Sequence, residues 1–257
     1  MTTVNADIVD LRDFYASRLG DACVRSLAMA LGTVWKPIRD ERLVGLGYVT
    51  PYLDRLTGES ERTLAFMPAA QGAVNWPLDR PSLAALVHPA ELPLGDAAVD
   101  RILMVHALEF AEDPAEMLGE AWRVLAPGGR LVMVLPSRGG MWSRFEHTPF
   151  GSGRPWSRAQ ATRLLRDTQF TPAGFSEALF FPPFRRERLL NLAGPWDRAG
   201  RRFWPIFAGA IVIEAVKLVY RGIPVTSRER SRIRAMRPVL VPQGRPALHL
   251  EKPPETP

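Results

Sequence analysis

The chain predicts an α/β protein with a doubly wound, mostly parallel sheet, and three observations carry that prediction. Residues 90–136, AELPLGDAAVDRILMVHALEFAEDPAEMLGEAWRVLAPGGRLVMVLP, alternate strand, helix, glycine turn and strand. Residues 101–105 and 131–135 are almost wholly aliphatic, as strands covered on both faces of a parallel sheet must be. Between them, Asp113 precedes Pro114 and Glu116, an N-cap followed by proline at the first helical position and a carboxylate at the third. Such strand–helix–strand units cross over right-handedly.

The remaining elements follow in order. Residues 8–35 read as helical, with Leu11, Phe14 and Tyr15, then Leu27, Leu31 and Trp35, at three-to-four spacing. Gly20 is expected to divide this run into two helices, and Pro37 ends it. A short strand at 42–45 feeds the turn Gly45-Leu46-Gly47, and Thr50 caps a helix with Pro51 at its first position. Residues 63–67 and 82–87 supply two further strands. In the helix opened by Asp113, the inner stripe is Leu118, Ala121, Trp122 and Leu125, and Pro127-Gly128-Gly129 stops it. Ser157 and Gln160 form a second capping box for a helix running to about Asp167. Segments 177–181 and 210–219 read as the last strands. The insert between them holds LLNLAGPWDRAGRRFW.

Composition narrows the class of protein. With 257 residues and 46% hydrophobic content, the chain is long enough to bury one sizeable core and leave a tail. The net charge is +6, and residues 221–257 hold eight basic and three acidic side chains, or +5 of it. The body is therefore nearly neutral and the tail basic. Seven prolines in that tail point to an extended or disordered segment. A single cysteine, Cys23, excludes an internal disulfide, and the four histidines show no metal-binding spacing. The first residues lack the apolar core of a secretory signal, and the most apolar run, 204–220, is interrupted by Pro205, Glu214 and Lys217. A cytoplasmic protein without a transmembrane segment is expected.

The order of these elements resembles the class I S-adenosylmethionine-dependent methyltransferase superfamily, in the branch with many small-molecule methylases. The resemblance is densest over 90–136 and covers most of residues 38–220. It implies a Rossmann-like, seven-stranded, mostly parallel sheet with an antiparallel edge hairpin. Residues 1–37 then form a helical lead and 221–257 a basic tail. It also implies S-adenosylmethionine as cofactor and methyl transfer to a small acceptor. The cofactor would lie against Gly45, Leu46, Gly47 and Tyr48, with Phe66, Met67 and His88 at the adenine and ribose and Val105 and His106 at the methionine end. Three positions depart from the superfamily's pattern: Leu43, Met67 and His88 stand where acidic residues are usual. Two readings follow: an enzyme that holds its cofactor by backbone and apolar contacts, or a non-catalytic relative acting through a partner.

Candidate catalytic residues are His106, with Glu109 about one helical turn on, and His147. They lie on connections after the fourth and fifth strands, where open α/β sheets take their ligands. Residues 137–157 are too long for a plain connector, and Trp142, Arg154 and Trp156 are its candidate substrate contacts. No metal ligands are assigned. The aromatics of the 184–207 insert suit a protein partner or a homodimer. The tail's arginines could touch nucleic acid or an acidic membrane surface, and docking onto a protein partner ranks above nucleic acid.

Overall fold

The computed structural model describes residues 7–35, 39–56, 60–184, 190–204 and 207–219. Its centre is a seven-stranded sheet of β1 (Arg42–Gly47), β2 (Arg62–Pro68), β3 (Ala84–Val87), β4 (Val99–Val105), β5 (Leu125–Pro136), β6 (Thr171–Ala178) and β7 (Ala210–Val216). The spatial order is β3-β2-β1-β4-β5-β7-β6. The first five strands run parallel, and β7 pairs antiparallel with both β5 and β6. Strand order reverses between β1 and β4, the switch point at which such sheets open a crevice beyond their carboxyl ends.

Two helical layers cover the sheet because its central strands are apolar on both faces. On one side lie α1 (Ile8–Tyr15), α2 (Arg18–Val34) and the single turn α3 (Thr50–Leu53). They bury Leu11, Tyr15, Leu27, Tyr52 and Leu53 against Leu43, Met67, Leu103, Val105 and Val132. On the other lie α4 (Pro114–Val124) and α6 (Arg158–Asp167). There Leu118, Ala121 and Leu165 meet Val44, Leu46, Ile102, Met104 and Met133. The alternation is visible within β1: Leu43 faces α2, while Val44 and Leu46 face α4. The loop before α6 carries α5 (Pro149–Ser152), and the insert carries α7 (Ala193–Phe203).

Local chemistry explains where the elements begin. Asp113 Oδ1 accepts the backbone N–H groups of Ala115 and Glu116, and the Ser157–Gln160 box forms in both directions. Elsewhere boundaries move. The break between α1 and α2 falls at Ala16-Ser17, where Ser17 caps α2 through Gly20 N–H. Gly20 lies in the first turn of α2, because a β-carbon there would sit 2.2 Å from the Phe14 carbonyl oxygen. Gly45 and Gly47 belong to β1 itself, so the turn follows them. Val49, without a side-chain bond, takes the cap position expected for Thr50. Chain passes from α4 directly into β5 at Leu125, with Pro127-Gly128-Gly129 inside the irregular start of that strand. Trp122 is only partly buried; Met117 and Val124 complete the stripe in its place. The sixth strand begins at Thr171, before the expected 177, and ends at Ala178.

Among the described residues no helix is long and apolar enough to cross a membrane. Residues up to Val219 form one compact unit. The expectations for the basic tail lie outside the described residues.

Candidate functional site

β4 ends in Val105, and His106 follows it with φ at +53°. A histidine in left-handed backbone is uncommon, and such strain persists where surrounding groups over-determine it. Three contacts do so here. Gln71, itself buried, donates from its side-chain amide to the His106 carbonyl at 2.9 Å. Glu109 Oε1 lies 3.0 Å from Nδ1, and the Tyr15 hydroxyl lies 2.8 Å from Nε2. With an ionised Glu109 the tautomer follows: Nδ1–H donates to the carboxylate, and Nε2 accepts from Tyr15. Both His106 and Glu109 are buried, and Glu109 Oε2 has no hydrogen-bond partner among the described residues.

The aromatic shell around this pair was not foreseen. Three of the chain's four tyrosines meet there. Tyr15 hydrogen-bonds Tyr52 at 3.1 Å and stacks on Tyr48 with ring centroids 5.2 Å apart. Phe150 presents an edge to His106 at 4.9 Å. Burial pushes the Tyr15, Tyr48 and Tyr52 phenols above their ordinary value, with the crowded Tyr15–Tyr52 pair adding to the shift at Tyr15. The sequence signal was present in Tyr48 and Tyr52, four residues apart after the glycine turn. Nothing local linked Tyr15 to them.

Next to this shell a cavity of about 260 Å³ opens at the carboxyl ends of β2, β3 and β4. Pro68 to Gln71 form one wall, His88 and Pro89 another, and Ala107, Phe110 and Met117 the floor. Glu112, Asp113 and Glu116 supply carboxylates at its rim, although Asp113 is engaged in capping α4. Of the expected cofactor contacts, His88 lines this cavity. Phe66 and Leu46 are buried in the α4-side core and Met67 in the α2-side core, where its sulfur accepts the Val74 N–H. Val105 is fully buried. The glycines serve the sheet: a β-carbon on Gly47, φ +90°, would lie 2.2 Å from the Val105 carbonyl oxygen. One on Gly45 would lie 2.3 Å from Val49 Cγ2.

The loop 137–157 does reach His106, through residues other than those expected. Phe150 touches the ring, and Gly153 packs so tightly on Glu109 that a β-carbon would come within 2.5 Å of its Cγ. Arg154 contributes its backbone N–H to the Glu109 carbonyl, while its side chain is exposed. Trp142 is a core residue whose indole donates to the Phe181 carbonyl at 2.6 Å. Trp156 is buried on the opposite face of the sheet. His147 is exposed on a separate depression lined by Asp10, Asp13 and Phe14 of α1. The structure brings His106 and Glu109 together and leaves His147 apart from them.

This architecture, with its ligand-sized opening at the carboxyl ends of the parallel strands, is that of a nucleotide-type α/β protein. Residues 44–133 match the family model described as a methyltransferase domain. A curated relative from Mycolicibacterium smegmatis, named as a probable S-adenosylmethionine-dependent methyltransferase, is 36% identical over 83 residues. The match covers 32% of each chain, so this protein spans about a third of that relative's length. Among solved structures, a methyltransferase of Thermotoga maritima superposes with a TM-score of 0.58 at 18% identity, covering 82% of this chain and 95% of that one. Geranyl diphosphate C-methyltransferase of Streptomyces coelicolor gives 0.53 at 16% identity, covering 75% and 77%. At these identities the structural likeness establishes the fold alone.

The superfamily's cofactor joins a nucleoside to an amino acid through a sulfonium, and the two halves fare differently here. The cavity beside Pro68, His88 and Phe110 offers apolar walls and rim carboxylates that suit a nucleoside. The space against the glycines, where the amino-acid half belongs, is taken: Val49 fills the cradle at Gly45, and Tyr15, Tyr48 and Tyr52 close over it. In this arrangement the residues do not fit the whole cofactor.

Proposed function

We propose that this protein is an S-adenosylmethionine-dependent methyltransferase for a small acceptor, described with α1 closed over the amino-acid half of its site. The observation that carries this reading is an open nucleoside-sized cavity at the carboxyl ends of β2, β3 and β4 in a chain whose residues 44–133 match the methyltransferase family. Gln71, His88 and Phe110 would contact the nucleoside. Withdrawal of α1 would take the Tyr15 hydroxyl from Nε2 of His106, leaving that nitrogen free to accept a proton while Glu109 holds Nδ1. Tyr15 thus serves as a bolt on the same imidazole.

The filled amino-acid half favours a second reading, a non-catalytic relative that binds a nucleoside and no more. Calorimetric titration separates the two. On the enzyme reading, S-adenosylmethionine and its demethylated product bind the wild-type chain. Tyr15→Ala then tightens both by about tenfold or more, some 1.4 kcal/mol, and leaves adenosine unchanged. Adenosine binding with no gain for the larger ligands in Tyr15→Ala supports the second reading. No heat from any of the three at millimolar concentration would sink both.

A further inference from the structure

The insert between β6 and β7 builds α7 on a narrow buried face. Ala193, Asp197 and Gly200 point inward. Gly200 lies so close to Phe180 that a β-carbon would meet its Cβ at 2.3 Å. Asp197 Oδ1 accepts from the Ser26 hydroxyl at 2.9 Å and from the Phe180 N–H at 3.1 Å, fixing the helix to α2 and to the end of β6. A second stripe is more open: among the described residues, Trp196 meets the Phe184 ring edge to face with centroids 6.3 Å apart. Leu192, Trp196 and Phe203, spaced four and seven residues apart, lie on one side of the helix. They are 47%, 44% and 67% exposed, and Trp204 and Phe207 beyond them are each 53% exposed. For side chains this large, exposure in a row marks a surface built to meet something apolar.

The charges beside that stripe identify its counterpart. Arg198 and Arg202 are exposed on the helix away from that stripe, and Arg201 is ion-paired at 3.7 Å with the buried Asp197, the sole carboxylate between Leu192 and Phe207. No serine, threonine, asparagine or glutamine occurs in that stretch, so every polar side chain it exposes is a cationic arginine. An aromatic stripe backed by arginine, on a helix of low net hydrophobicity, is the composition of a helix that lies in a bilayer interface. The sequence continues the same charge: Arg228, Arg230, Arg232, Arg234 and Arg237 follow within the next part of the chain. We infer that α7 docks the protein on an anionic lipid surface. Leu192, Trp196 and Phe203 enter the headgroup layer, and the arginines meet lipid phosphates.

The test uses the full chain and two vesicle preparations, phosphatidylcholine alone and phosphatidylcholine with a minority of phosphatidylglycerol. Sedimentation with the anionic vesicles is expected, weakened by salt as surface charge is screened, together with a blue shift of tryptophan emission. The pair Trp196→Ser and Phe203→Ser should lower binding at least tenfold. Arg198→Glu with Arg202→Glu should remove the preference for phosphatidylglycerol. These side chains are exposed, so an unchanged melting transition verifies that each variant folds. No sedimentation with either vesicle overturns the inference. Equal binding by the serine variant overturns it too, because the tail would then carry the affinity. A dimer that Trp196→Ser dissolves, in protein that ignores vesicles, would show that a second copy covers the stripe.

Discussion

Gly47 closes β1 at φ +90°, its α-carbon pressed toward the Val105 carbonyl of the neighbouring strand. Two separate physical demands meet at that residue, a left-handed backbone and a close strand approach, and only glycine satisfies both. Gly47→Ala should therefore destabilise the fold by about 2 kcal/mol or more, since strain of this kind and overpacking each cost roughly 1–3 kcal/mol. Urea unfolding checks this, and an unchanged midpoint would contradict it. A glycine motif ahead of a helix is easily read as a ligand cradle. Here its spacing reflects sheet packing at Gly47 and the Val49 side chain at Gly45. Tyr15 shows the converse: in the sequence it is one aromatic of a helical stripe, and only the fold reveals its hydrogen bond to His106.

Ser157 and Gln160 exchange bonds at the start of α6, on a stretch removed from the cavity. Ser157→Ala should cost about 1 kcal/mol, as loss of an N-cap oxygen generally does. Thermal melting measures that loss, while ligand titration at the cavity should be unaffected. Elements fixed by such local chemistry were legible in the sequence: the aliphatic runs of β4 and β5, the Asp113 cap and this box. Elements fixed by distant contacts were not. β6 contains Pro172, Gly174 and Ser176 and carries little strand signal; its place is set by pairing with the apolar β7. The α1–α2 break was drawn to Gly20 because glycine is a helix breaker, whereas Ser17 makes the break and Gly20 permits the two helices to touch. Likewise His106 and Glu109 were found from their position after a strand. The cavity lining at Pro68 to Gln71 was missed because it lies just past the end of β2.

At the scale of the whole molecule, three buried phenols make stability depend on alkaline pH. In the unfolded chain they ionise near the ordinary value of 10.0, while burial raises them in the folded protein. Below that pH all are protonated in both states and nothing changes. Above it the unfolded chain releases protons that the folded chain retains, so stability falls by up to about 1.4 kcal/mol per pH unit for each retained proton. The expected result is alkaline unfolding in which phenolate absorbance and loss of helical signal coincide. Complete phenolate formation in a still-folded protein would refute the burial described for Tyr15 and Tyr52. Among the described residues, those of the two cores lie between Ile8 and Ala215.

On the proposed reading, the 2.8 Å contact of Tyr15 with His106 also sets a speed. Any ligand that needs the space held by α1 must wait for that helix to leave, so its observed association rate levels off as ligand concentration rises instead of climbing without limit. The apparent affinity is scaled down by the fraction of molecules standing open, about tenfold for every 1.4 kcal/mol by which the closed form is preferred.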